Sequence, residues 1–117
     1  MSLTHIESGI RYSQAVIVGD LVFVAGQVAA DARLDLTGQM RETLAALDRV
    51  LVASGSRRDQ PVSVTIYLRD IADYAAMNAM WDAWLAPNAK PARATVEARL
   101  ALPEYRVEVQ AVAARLP

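Results

Sequence analysis

Two runs near the end of the sequence carry the side chains best suited to chemistry. Each run alternates small or apolar residues with polar ones, as a strand with two different faces does. The polar positions are Arg93, Thr95, Glu97 and Arg99 in the first run, and Glu108 and Gln110 in the second. A planar guanidinium can hold a carboxylate by two hydrogen bonds, so a partly buried Arg93 would need an acidic partner. That partner could be Glu108 or a bound ligand.

A hairpin through Leu102 and Pro103 would bring these polar groups together. The predicted opposite pairs are Glu97 with Glu108 and Thr95 with Gln110. Arg93 would then share with them the face turned away from the helices, although a register shift of one residue would undo the arrangement. Alternating charges are also typical of a strand face exposed to water, so the pattern leaves a plain surface role for Arg93 open.

Other reactive side chains are scarce. The sequence has no cysteine and a single histidine, His5. This excludes a thiolate nucleophile, a cysteine-based metal site and a histidine-rich metal site. A Ser-His-Asp triad would have to use His5, which lies near an N-terminus that we expect to be mobile.

The hydrophobic period divides the chain into elements in the order ββαβαββ. Period-two patterns predict strands at 11–18, 21–28, 62–68, 92–100 and 105–113. Helical spacing predicts one helix from about 38 to 54, capped by Thr37, and another from Asp70 to Pro87. This order favours one α+β domain, residues 1–117, with a single sheet and both helices on one face.

The other face of such a sheet would have no helix to cover it. Self-association is the simplest covering. A hydrophobic content of 54% and a mean hydropathy of +0.18 agree with buried subunit contacts. An interior rich in alanine and valine would give the same composition.

Charge and hydropathy argue against two classes of partner. The net charge is −1, and no basic run is longer than Arg57-Arg58, whereas nucleic-acid binding normally needs a concentrated basic face. There is no signal-peptide pattern at the N-terminus and no apolar stretch of about 18 residues. We therefore expect a cytoplasmic protein that binds neither nucleic acid nor membrane.

Several segments resemble the Rid (RidA, YjgF-like) family in order and spacing. They are RYSQAV, VAGQV, IYLRDIADYAAMN and PARATVEARLALPEYRVEVQAVA, and the resemblance covers roughly residues 8–115. It implies a chorismate-mutase-like fold, with three subunits in a barrel-like ring and active sites in the clefts between neighbours. It also implies hydrolysis of 2-imino and enamine acids, such as 2-aminoacrylate, to 2-oxo acids and ammonia, without cofactor or metal.

The resemblance assigns roles residue by residue. Arg93 matches the arginine that binds the substrate carboxylate, and Glu108 matches the glutamate that positions or activates the attacking water. Four further residues match substrate-binding positions: Tyr12, Gly26, Asn78 and Thr95. Three of these also have a plainer interpretation: Tyr12 as an interface residue, Asn78 as a structural hydrogen-bonding residue, and Gly26 as relief of crowding in a strand.

Some positions depart from the family pattern. Thr95 stands where many members have cysteine, and Ala25 stands where the best-known deaminases have serine. Ile10-Arg11 replaces the usual Gly-Pro, and the loop after Gln27 is shorter than in those members. These changes favour a divergent branch acting on a different imine.

Two other functions remain as alternatives. The first is a non-catalytic protein that binds small carboxylates on the same scaffold, which Ala25 makes credible. The second is RNA cleavage or translation inhibition, attributed to relatives. The acidic pI of about 5.7 and the lack of a basic stripe argue against the second.

Overall fold

This computed structural model describes residues 2–117. Within them, six strands form one sheet, and two α-helices pack on one of its faces. They are β1 (Leu3–Ser8), β2 (Ser13–Val18), β3 (Leu21–Gln27), α1 (Leu36–Ala53), β4 (Pro61–Leu68), α2 (Tyr74–Leu85), β5 (Ala92–Glu97) and β6 (Val107–Ala114). A 3₁₀ turn, Ile71–Asp73, precedes α2. The predicted mixed α+β architecture is thus confirmed.

The strands lie in the order β1-β2-β3-β6-β4-β5, so β1 and β5 form the two edges of the sheet. The β4–β5 pair is parallel, and the other neighbours are antiparallel. β1 was not predicted, and the expectation of a mobile N-terminus is wrong for its residues. His5 lies in this strand, opposite Val16 of β2.

The predicted hairpin between the last two strands is also wrong. β5 pairs with β4, with Arg93 opposite Val64 and Thr95 opposite Ile66. β6 instead lies between β3 and β4. Burial gives the reason: alternate residues of β6 are fully or nearly fully buried, which suits a central strand, whereas the residues of β5 all remain partly or fully exposed.

The helices close the core from one side. Met40, Leu47 and Leu51 of α1 are fully buried against the sheet. The cap of α1 is Asp35 rather than the predicted Thr37, and its carboxylate accepts a hydrogen bond from the Gly38 amide at 2.9 Å. Gly55, just after the end of this helix, has a left-handed φ of +80°.

No helix within residues 2–117 is long and apolar enough to cross a membrane.

The opposite face of the sheet carries exposed apolar side chains. Phe23 alternates with buried Val22 and Val24, so it points away from the helices, and 46% of its surface is exposed. Leu21 and Val96 are exposed in the same way. We call this side the open face.

Candidate active site

Arg93 is held by side chains of its own chain on the helix face of the sheet. Its Nη1 donates to Asn78 Oδ1 at 2.8 Å, and its Nη2 donates to the Tyr74 hydroxyl at 3.2 Å. The guanidinium also lies 5.7 Å from the centre of the Trp81 ring and 5.8 Å from that of Tyr74. Tyr74, Asn78 and Trp81 follow the spacing i, i+4, i+7, so α2 presents all three on one side. We call these four residues the arginine cluster.

The Arg93 guanidinium has N–H donors that make no hydrogen bond to the arginine cluster. Arginine carries five N–H donors, and the contacts to Asn78 and Tyr74 use two of them. The ion pairs formed within residues 2–117 involve Arg33, Arg49, Arg57 and Arg58, not Arg93. A partly buried cation without an acidic partner, already fixed in orientation, can bind a carboxylate at low entropic cost.

A small cleft opens beside the guanidinium. Its volume is about 330 Å³, and its lining is Asn78, Trp81, Asp82, Leu85, Lys90, Pro91 and Arg93. Thr95 follows two residues later on the same face of β5. Its Oγ1 is buried and has no hydrogen-bond partner among the described residues.

Glu108 lies on the open face, over the backbone of Gly26. Buried Val107 and Val109 flank it, so its side chain points away from the helices. A Cβ atom at Gly26 would collide with the Glu108 carboxylate. The bulge between Val24 and Gln27 allows this close approach of side chain to backbone. Burial raises the pKa of the Glu108 carboxyl above its ordinary value. We call these two residues the glutamate pair.

Tyr12 lies at the same end of the sheet as the glutamate pair. It ends the turn between β1 and β2, where its carbonyl accepts from the Gly9 amide at 2.8 Å. Two residues later, Gln14 Oε1 accepts from Gln27 Nε2 at 2.9 Å, which ties the start of β2 to the strand that carries Gly26. The Tyr12 side chain is 62% exposed.

The predicted sharing of one face is wrong. Arg93, Thr95 and Glu97 lie on the helix face, whereas Glu108 and Gln110 lie on the open face. The cause is the strand order, since β5 takes its register from β4 instead of β6. Glu97, for example, accepts a hydrogen bond from the Ile71 amide at 3.0 Å beside the helices. One chain therefore cannot bring its own Arg93 and Glu108 to the same small molecule.

Neither half of the candidate site lies in a wide polar cleft found elsewhere on the molecule. That cleft has a volume of about 750 Å³ and is lined by Ala32, Arg33, Leu34, Asp35, Arg69, Asp70, Asp73, Pro103, Glu104 and Arg106. Two of its arginines have partners, because Arg33 pairs with Asp31 and Arg69 donates to the Pro103 carbonyl. No group of three or more acidic or histidine side chains within residues 2–117 could hold a metal ion.

Tyr74 and Trp81 belong to the arginine cluster, although neither was predicted as a site residue from the sequence. The spacing of Tyr74 and Asn78 is the signal that could have joined the tyrosine to the site, since a hydroxyl and an amide four residues apart share one helix face. Nothing in the sequence indicates that β5 packs beneath that face.

Comparison with known proteins identifies the relationship. Residues 3–115 match the family model described as Endoribonuclease L-PSP. A RutC family protein of Haemophilus ducreyi is 38% identical over 112 residues, which are 96% of each chain. A protein of Salmonella typhimurium named 2-iminobutanoate/2-iminopropanoate deaminase is 30% identical over 111 residues, covering 89% of this chain and 87% of that protein.

A solved structure agrees with these sequence matches. A member of the YjgF protein family from Neisseria meningitidis superposes with a TM-score of 0.96 at 42% identity, over 100% of this chain and 98% of that one. The sequence matches and the structural match therefore indicate the same family. The chain belongs to the Rid family, also called YjgF or RutC.

Proposed function

We propose that this protein hydrolyses 2-imino and enamine acids to 2-oxo acids and ammonia. The observation that carries the proposal is the arginine cluster: Arg93 is oriented by Asn78 and Tyr74 and has no acidic partner among residues 2–117. A 2-imino acid supplies the missing carboxylate. The name of the Salmonella relative supports the same reaction class.

The reaction needs an anchor and a base. An enamine first tautomerises to the imine, whose carbon 2 is electrophilic. With the carboxylate on Arg93, water adds to carbon 2 while Glu108 accepts a proton from the water and passes it to the imine nitrogen, which gives a carbinolamine. Glu108 then takes the hydroxyl proton and passes it to the amino nitrogen as the C–N bond breaks, which releases ammonia and the 2-oxo acid. The raised pKa of Glu108 suits a group that must both take and return a proton.

The two halves of the site come from different copies of the chain in this proposal. Arg93 and Glu108 of one chain lie on opposite faces of the sheet, so a neighbouring copy must bring its glutamate pair to the arginine cluster. The exposed apolar residues of the open face, such as Phe23, support a covering by other copies. A homotrimer, as the family resemblance implies, would place three such sites between neighbours.

A coupled assay tests the activity. Imines are generated from several amino acids by an amino-acid oxidase or a dehydratase, and ammonia release is measured with and without this protein. Arg93→Ala should abolish the acceleration while the oligomer survives. Arg99→Ala is the matched control, because Arg99 follows on the same run of chain and is exposed. Ammonia release by the Arg93 variant at the wild-type rate would refute the proposed role.

One departure from the family pattern favours a second candidate, a carboxylate-binding protein without turnover. Ala25 precedes Gly26 where the best-known deaminases have serine, so the glutamate pair lacks a neighbouring hydroxyl. Calorimetry with a 2-oxo acid separates the two candidates. Tight binding combined with no acceleration of 2-aminoacrylate hydrolysis would favour the binding protein.

A further inference from the structure

Gln39 is a polar side chain fully buried inside the fold. It lies in the first turn of α1, next to buried Met40. Its Nε2 lies 3.0 Å from each of the carbonyl oxygens of Ala32, Leu34 and Glu104, and its two N–H groups are shared among these three acceptors. Its Oε1 accepts from the Arg106 amide at 2.8 Å. Every polar atom of this amide is therefore used on backbone groups.

These contacts join two irregular segments that both lead to the glutamate pair. Ala32 and Leu34 lie in the loop between β3, which carries Gly26, and α1. Glu104 and Arg106 lie in the connection that ends where β6 begins, and Glu108 is two residues beyond Arg106. Gln39 thus fixes the backbone on both sides of the contact between Glu108 and Gly26.

The β5–β6 connection has few other anchors near this point. Within it, the Tyr105 amide donates to the Leu102 carbonyl at 3.2 Å, and Arg69 Nη1 donates to the Pro103 carbonyl. The Arg106 carbonyl accepts from the Arg69 amide at 3.0 Å. The side chains of Pro103, Glu104 and Arg106 are exposed, so they contribute little packing. The buried Gln39 amide is thus the α1 group that hydrogen-bonds the connection just before β6, while Val107 and Val109 hold β6 itself in the core.

We infer that Gln39 is a positioning residue for Glu108. By fixing the start of β6 against the loop that follows β3, it sets where the Glu108 carboxylate lies over Gly26. It touches no substrate and acts only through Glu108. The inference rests on the proposed function, in which Glu108 activates water and Arg93 binds the carboxylate.

This role makes a kinetic prediction that a general loss of structure does not. Gln39→Met keeps the approximate volume of the side chain but removes every hydrogen bond that the amide makes. Misplacing Glu108 should lower kcat by about 10- to 100-fold. KM should stay within about twofold, because the arginine cluster is built on β5 and α2 and keeps its own contacts.

The matched control is Thr43→Val. Thr43 follows Gln39 by one turn on α1, is equally buried, and has a hydroxyl without a hydrogen-bond partner among the described residues. Its replacement removes a buried polar group but breaks no tie to β6. Both kcat and KM should therefore remain at wild-type values.

A second variant tests the tie from its other end. Arg106→Pro removes the one amide hydrogen that Gln39 Oε1 accepts, at an exposed position outside β6. If Gln39→Met fails to fold, Arg106→Pro should still lower kcat with an unchanged KM.

The experiment measures ammonia release from freshly generated 2-aminoacrylate by the assembled wild type, Gln39→Met, Arg106→Pro, Thr43→Val and Glu108→Gln. Selective loss of kcat in the Gln39 and Arg106 variants supports the inference. Wild-type kinetics in both, while Glu108→Gln is inactive, would overturn the inference alone. If kcat falls and KM rises by similar factors, Gln39 has only a structural role and the inference is wrong. A wild type without turnover would instead refute the proposed function, and this inference would fall with it.

Discussion

The arginine cluster and the glutamate pair are built by different means. Side chains of one helix hold Arg93, whose guanidinium contacts Asn78, Tyr74 and Trp81. Glu108 instead lies against the backbone of Gly26, and partial burial there raises the pKa of the Glu108 carboxyl. The first arrangement fixes a cation and leaves donors free, which suits an anchor. The second keeps a carboxylate poorly solvated, which suits a base.

In the proposed function, the two groups of one site come from different copies of the chain. The sheet separates the two groups, so each half can be altered without disturbing the other inside one chain. Changes in the arginine cluster should appear in substrate binding, and changes in the glutamate pair should appear in turnover. Substitutions in each half can therefore test this separation.

Gly26→Ala should cause the largest loss in the glutamate pair. The added Cβ would collide with the Glu108 carboxylate, and this flexible side chain would move rather than the backbone. We expect kcat to fall about 100-fold with KM little changed, since a displaced base no longer reaches the water. Steady-state kinetics of ammonia release measure this.

Gly9→Ala is the control for this substitution, because the Cβ added there meets only the Tyr12 carbonyl at an ordinary 3.6 Å. It should leave both constants unchanged. If Gly26→Ala keeps its kcat while Gly9→Ala behaves like the wild type, Glu108 is not the base.

Asn78→Ala should mainly weaken substrate binding. The Arg93 Nη1 would lose its 2.8 Å hydrogen bond and part of its orientation. We expect KM to rise about tenfold and kcat to fall much less, in line with the roughly 1.5–3 kcal/mol of a hydrogen bond to a charged group. Tyr74→Phe, which keeps the ring beneath the guanidinium but removes the hydroxyl, should have a smaller effect of the same kind. A fall in kcat with constant KM in either variant would contradict the division of roles.

Glu108→Gln should stabilise the folded protein at neutral pH, by a small amount. Burial raises the pKa of Glu108 in the folded state, so the folded protein holds its proton more tightly than the unfolded chain does. Stability then falls as pH rises from the ordinary glutamate value through the raised pKa. Glu108→Gln has no carboxyl group at this position, so its free energy of unfolding does not fall in this way. Its Tm should exceed that of the wild type at pH 7, and the gap should narrow on acidification. A wild type more stable than the variant at pH 7 would show that the carboxylate has a stabilising partner.

Much of the fold could be predicted from the sequence, since period-two and helical patterns locate β2–β6 and both helices. β1 could not, because five of its six residues are exposed at the edge of the sheet and show no clear alternation. The strand order was missed because periodicity reports which residues share a face but not which strand is the neighbour. The short connection between β5 and β6 favours a tight hairpin. The buried alternate positions of β6, however, require a neighbouring strand on each side.

The candidate site shows the same limit. The polar types of Arg93 and Glu108 are evident from the sequence, but their placement on opposite faces depends on the strand order. Asn78 was predicted from the family resemblance, and its contact with Arg93 depends on α2 crossing β5. Gln39 gave no signal, because its partners are backbone groups in loops up to 67 residues away along the chain.

The most direct test of the account is to combine two inactive variants. Arg93→Ala retains its Glu108, and Glu108→Gln retains its Arg93, so co-assembly should recreate intact sites between unlike copies. For random mixing in a cyclic trimer, about a quarter of wild-type ammonia release should return. If co-assembled oligomers, verified by mass spectrometry, stay as inactive as each variant alone, the two residues do not serve one shared site.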